Sequence, residues 1–210
     1  MTTTQLGRPV GASGEQTRAR IINAAMRCVA EKGYSKATIR SIAGMAGMTS
    51  ASLYNYFPNR SALMEAAVAA RADIALPRLH GAAQRSGGTI DRIEAVLDES
   101  GKLMHEYPDL AAFEWAIRAE GASLKPAETA EVQFLELRQI IEGIVDDGFR
   151  RGELSKDADA QAAVEVLYAL LYGLTELAAS ASPRTYHTTL EASKRLIRGT
   201  LFEQEASPIR

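Results

Sequence analysis

From Thr17 onward the apolar residues of this 210-residue chain return every three or four positions, and no stretch alternates them in twos. That spacing lines one side of an α-helix, whereas a half-buried strand needs a period of two. The chain must therefore fold by packing helix on helix. Composition agrees: alanine and leucine are abundant and aromatic residues make up only 6%, which disfavours sheets. Glycines, prolines and polar caps cut the pattern into segments. Ile21, Ala24, Ala25, Cys28 and Val29 form a first helix, closed by Gly33. Thr38 caps a second, with Ile39, Ile42, Ala43 and Ala46 apolar, and Gly47 breaks it. Thr49 or Ser50 opens a third, running to about Phe57. Asn59 or Ser61 caps a fourth (Leu63, Ala67, Ala70, Ile74), which should end or kink at Pro77. After Gly87-Gly88 come five more, at roughly 89–106, 108–120, 126–150, 158–181 and 184–204.

The net charge of −2 conceals an asymmetry. Residues 1–60 hold eight Lys or Arg and two acids, and the remaining 150 hold sixteen basic and twenty-four acidic side chains. A basic end on an acidic body suits a polyanionic partner at that end. No apolar run approaches the roughly 20 residues of a membrane span. Met1 to Gly14 is polar, without the apolar stretch of a signal peptide. The expectation is a cytoplasmic protein with no membrane partner. Residues 1–14, rich in Thr, Gly, Ser and Pro, read as a flexible arm.

The stretch Thr38 to Phe57, TIRSIAGMAGMTSASLYNYF, places two short helices around a tight turn at Gly47. This is the helix-turn-helix arrangement, whose second helix enters the DNA major groove. At about 100° per residue, Leu53 and Phe57 share one face and should pack inward. Ala51, Ser52 and Asn55 then face out, and Tyr54 and Tyr56 flank them. Small side chains let the helix approach base edges, Asn pairs with adenine, and tyrosine hydroxyls reach phosphates. Thr38, Thr49, Ser50 and Arg60 complete the expected DNA contacts, the threonines at helix starts that favour an anion. Arg8 is a candidate for the adjacent minor groove.

The run from Thr17 to Arg60 closely resembles the N-terminal domain of the tetracycline-repressor (TetR/AcrR) family. The likeness rests on the TR-x-x-I-x-x-A-A start, EKGY after helix one, T-x-x-x-I-A in helix two and G-M-T-x-x-x-L-Y-x-Y-F-P leading into helix four. The chain departs from it at Ser50, where the family often has Lys or Arg, at Ala51, often Gly, and at Arg60, often Lys. The resemblance implies an all-α fold of about nine helices: an N-terminal three-helix DNA-binding domain with a helix-turn-helix, and a C-terminal helical bundle. It also implies a homodimer, a pseudo-palindromic operator of double-stranded DNA, and repression relieved by a small molecule.

Beyond the first helices the residues speak alone. The 158–181 segment is apolar nearly all round, and such a helix must be buried on more than one side. A second copy is the natural cover, with Val164, Leu167, Leu171 and Leu174 meeting Leu190, Ile197 and Leu201 of the last helix. Met104, His105, Phe113, Trp115 and Arg118 gather in 104–118, and with Phe134, Tyr168 and Tyr172 they are the candidate lining for a largely apolar effector. Glu114 and Arg118 read as a surface pair. His80, His105 and His187 lie far apart, and no nucleophile, phosphate-loop or dinucleotide motif occurs. No enzyme, cofactor or metal site is expected. The expected division is an arm at 1–14, a DNA-binding domain at 15–60 and an effector-binding and dimerisation domain at 61–210. The expected function is a DNA-binding transcriptional regulator, a repressor released by its effector. The alternatives are an activator, or a helical small-molecule binder without an operator.

Overall fold

The computed structural model describes residues 10–121 and 128–202, with side chains described over 14–117 and 136–202. Among these residues there are nine helices and no strand. They are α1 (Val10–Lys32), α2 (Ile39–Met45), α3 (Ser50–Tyr54), α4 (Arg60–Ala83), α5 (Thr89–Glu106), α6 (Pro108–Gly121), α7 (Glu128–Arg150), α8 (Ala160–Ser180) and α9 (Pro183–Ile197). The all-helical reading holds, with three differences. Helix α1 starts at Val10, within the stretch expected to be an arm. Helix α4 runs straight through Pro77. Asp73, whose carbonyl loses its partner to the proline ring, and Pro77 itself both face outward, where the orphaned group is open to solvent. Helix α9 stops at Ile197, so Leu201 lies past its end.

Two hydrophobic cores organise the molecule. The first joins Ile21, Ala25, Cys28 and Val29 of α1 to Ile42, Leu53 and Phe57, and to Leu63, Met64, Ala67 and Val68 of α4; α6 adds Leu110 and Phe113. This core does not stop at residue 60. It reaches two turns into α4 and borrows from α6. The second gathers Ala75 to Ala83 of α4 with Val96, Leu97 and Leu103 of α5, Ile141, Ile144 and Val145 of α7, Val164, Leu171 and Leu174 of α8, and Leu190 of α9. Helix α4 is thus common to both.

Between the cores, Arg71 of α4 and Glu114 of α6 form a buried ion pair at 2.6 Å. Glu114, expected at the surface, is only 3% exposed and turns inward to α4, while the side chain of Arg118 lies outside the described residues. Desolvating two charges is costly, and breaking such a pair strands the survivor. The pair therefore fixes α6 against α4.

Two elements pack without room to spare. A Cβ on Gly148 of α7 would overlap the Thr89 hydroxyl at the start of α5 and lie 2.9 Å from Leu154 Cδ1. Thr89 there donates its N–H and hydroxyl to Glu153 at 2.6 and 2.7 Å. Helix α5 is also tied to α9 by Arg198 with Glu94 and Asp91 and by Lys194 with Asp98.

Candidate nucleic-acid interface and effector groove

Local chemistry builds the turn between α2 and α3. Thr38 accepts from the Ser41 N–H at 3.2 Å and caps α2. At the other end Met48 N–H reaches back to Ala43 O at 2.9 Å and Gly47 N–H to Gly44 O at 3.1 Å. This paired closure needs a left-handed residue, supplied by Gly47 at φ +69°. Thr49 then caps α3 by accepting from Ser52 N–H at 3.1 Å. Helix α3 proper ends at Tyr54, and turns bonded to Leu53 O carry the chain to Phe57.

Leu53 and Phe57 are sealed inside at 0% and 2% exposure, while Tyr54 is 51% and Tyr56 37% exposed. Ala51 and Asn55 are exposed, and Ser50 and Ser52 partly so. The outward surface is thus Ala51, Tyr54, Asn55 and Tyr56, rimmed by serines. Arg18 of α1 lies 4.9 Å over the Phe57 ring and closes the core from behind. Thr38 and Thr49 are exposed, with their hydroxyls engaged as caps.

Arg60 has another task. Its Nε donates to Ala37 O at 2.8 Å, its Nη2 donates to Tyr34 O, and its guanidinium stacks 4.1 Å over the Tyr34 ring. These two bonds clamp the α1–α2 loop to the start of α4, a structural role beside the expected phosphate contact. Two cations not singled out as DNA contacts, Lys36 and Arg40, stand exposed beside Thr38. Their clue was the basic excess of this end of the chain.

Among the described residues the expected effector side chains fall into two groups, Trp115 with Tyr172 and Met104 with His105. Phe113 is 1% exposed within the first core. Trp115 meets Tyr172 of α8 with ring centroids 5.8 Å apart. Tyr168 packs on the second core. Met104 and His105 instead border a groove of about 520 Å³, walled by Tyr186, His187 and Leu190 of α9. The side chains of Arg118 and Phe134, and all of Arg8, lie outside the described residues. Burial and the neighbouring Asp98 push the Tyr186 hydroxyl up to about 12, so it stays a neutral donor. Sequence reading missed Tyr186 and His187, which a helical wheel does not relate to α5. It also missed Arg71, although a clue was visible: a charge one turn on from Ala67, on the apolar side of α4.

Residues 21–67 match the family model described as bacterial regulatory proteins, tetR family. The N-terminal segment is a tetR-family domain. A TetR-family relative from Escherichia coli K12, the HTH-type transcriptional regulator UidR, is 24% identical over 161 residues, covering 76% of this chain and 80% of that one. The solved structure of Salmonella enterica GusR superposes with a TM-score of 0.68 at 25% identity, covering 94% of this chain and 99% of that one. The Bacillus subtilis regulator FadR, solved with stearoyl-CoA, has the same fold: TM-score 0.70 at 18% identity, with 87% of this chain and 96% of that one covered.

Four of the seven residues expected at a dimer seam are buried within the chain itself. Val164, Leu171, Leu174 and Leu190 are 2–6% exposed inside the chain's own second core, and Leu167 and Ile197 pack against it. Leu201 lies beyond α9. The outward stripe of α8 is Ala162, Val166, Ala169 and Gly173, with Val166 67% exposed. On α9, Leu196 is 49% exposed. By length and composition α8 is apolar enough to cross a membrane, contrary to expectation, yet only 17% of its apolar window is buried.

Proposed function

We propose that this chain is a transcriptional regulator that reads a two-fold operator with α3 and represses until a small molecule binds. One observation carries the reading: Leu53 and Phe57 are buried beneath α3 and the turn that follows it, whose exposed side is Ala51, Tyr54, Asn55 and Tyr56. A helix of that make-up is short enough and bare enough to lie in a major groove, where asparagine pairs with adenine and tyrosines meet the sugar-phosphate backbone. Lys36 and Arg40 add charge beside it.

A two-fold reader needs two copies. The stripe Ala162, Val166, Ala169 and Gly173 on α8 supports a seam between them, because small residues let two such helices approach closely. The groove beside Met104, His105 and Tyr186 supports an effector with an apolar body and a polar group, since its size is in the range of small-ligand sites. An effector would act by preferring the conformer that fits the operator poorly.

The test is footprinting of the purified protein on the DNA flanking its own gene. A protected inverted repeat is expected. On that site Asn55→Ala should lower discrimination at one base pair per half-site by about 1–3 kcal/mol. Normal affinity and normal discrimination in Asn55→Ala would overturn the assignment of the reading face.

A further inference from the structure

At the end of α4 farthest from α3, Arg85, Arg92 and Arg151 line a cavity beside the loop that leads into α5. Arg92 of α5, with Arg150 and Arg151 at the end of α7, all contact one carboxylate, Asp147, at 2.5, 3.4 and 2.6 Å. Arg85, just past the cap of α4, faces the same open cavity of about 370 Å³ and has no acidic partner among the described residues. The other charged groups near it are accounted for. Glu153 accepts from Thr89 and lies 3.8 Å from Arg151. Asp91 faces Arg198 at 3.2 Å and caps Gly88 N–H. With Glu94, which also holds Arg198 at 2.6 Å, five arginines face four carboxylates, and the unmatched cation is Arg85.

The donors also have a shape. Gln84, Ser86 and Gly87 line the cavity with Arg85 and Arg151. Gly87 has φ +133°, and a Cβ there would lie 2.9 Å from Asp91 Cβ, so the loop can be drawn this tightly only by glycine. Arginine forks spaced around a small concavity match the oxygens of a multiply charged oxyanion better than a single carboxylate does. Asp147 lines the cavity too and is shared by three guanidiniums, Arg92 also donates to Ala83 O at 2.7 Å, and Arg85 is the lining arginine without a carboxylate partner among the described residues.

We propose that this arginine pocket between the α4–α5 loop and the end of α7 binds a diphosphate group, free or carried on a small molecule such as a nucleotide. The site is separate from the reading face and from the groove beside His105, and it does not depend on operator binding.

Calorimetric titration of the full-length protein with sodium pyrophosphate, ADP and inorganic phosphate tests it. Pyrophosphate should bind saturably, one per chain, and at least tenfold more tightly than inorganic phosphate. Arg85→Ala and Arg151→Ala change exposed side chains, so melting curves should show both folded, and each should weaken pyrophosphate at least tenfold. Arg85→Lys, which keeps the charge and loses the fork, should fall between. ADP binding as tightly as pyrophosphate, or more so, supports a carried diphosphate; pyrophosphate binding alone supports the free ion. Pyrophosphate affinity unchanged in both alanine variants, or no saturable binding, overturns the proposal. So does an Arg85→Ala loss confined to DNA affinity, which would give the cluster to the operator instead.

Discussion

Two residues of the helix-turn-helix region look alike on paper and do opposite things. Asn55 and Arg60 are both polar and both close to α3. Asn55 ends α3 on its exposed side, whereas Arg60 turns back and holds two carbonyls of the preceding loop. Its guanidinium therefore fixes the position of α2 relative to α4. Arg60→Met should lower stability by about 1–3 kcal/mol, since two carbonyls lose a charged donor, and a urea-unfolding midpoint would register it. An unchanged midpoint would mean those carbonyls are equally well served by water. Sequence inspection placed Arg60 correctly at the start of a helix, where a cation often meets phosphate, but its partners lie more than twenty residues upstream, beyond any local pattern. The threonine caps and the Gly47 turn were legible because their partners lie within five residues.

Elements were legible to the extent that their signals are local. Eight helices begin within a few residues of where polar caps and glycines put them, and α1 starts earlier because nothing before Thr17 carries an apolar stripe. Pro77 misled because the cost of a proline depends on which way the orphaned carbonyl faces. Helix α8 misled for a different reason. A helix apolar all round has no polar side to mark what faces out, so its pattern does not separate leucines of the chain's own core from those of a seam. Two element-level expectations follow. Val166→Arg places a charge in the outer stripe of α8 and should convert a dimer to a monomer by sedimentation, with helicity unchanged; a dimer that persists would move the seam elsewhere. Gly148→Ala wedges α7 from α5 and should cost about 1–3 kcal/mol by thermal unfolding, with Thr89 losing its hold on Glu153.

At the scale of the whole molecule, ion pairs bind the helices that carry the second core. Three of their carboxylates share a direction of shift. Arg78 holds Glu106 below its ordinary 4.5, Arg92 holds Asp147 below 3.8, and the Thr89 hydroxyl holds Glu153 below 4.5. A carboxyl lowered on folding stabilises the native state wherever the unfolded chain would also be ionised, and that contribution fades as the folded group takes up its proton. Melting temperature should stay level from neutral pH down to about 5 and fall steadily below about 4. Glu153→Gln should flatten part of that fall. A melting temperature that rises on acidification would contradict the assignment of these pairs. None of the pairs was visible in the sequence, since each joins helices that only the tertiary fold brings together.

Helix α4 is unbroken for twenty-four residues and is rooted in both cores, which makes it a rigid beam about 36 Å long. Leverage follows from length alone. A tilt of about 5° at one end carries the other through about 3 Å, close to the roughly 3.4 Å between successive base pairs on a DNA strand. A repacking too slight to disturb the bundle is enough, at the far tip, to put two reading heads out of step with their bases.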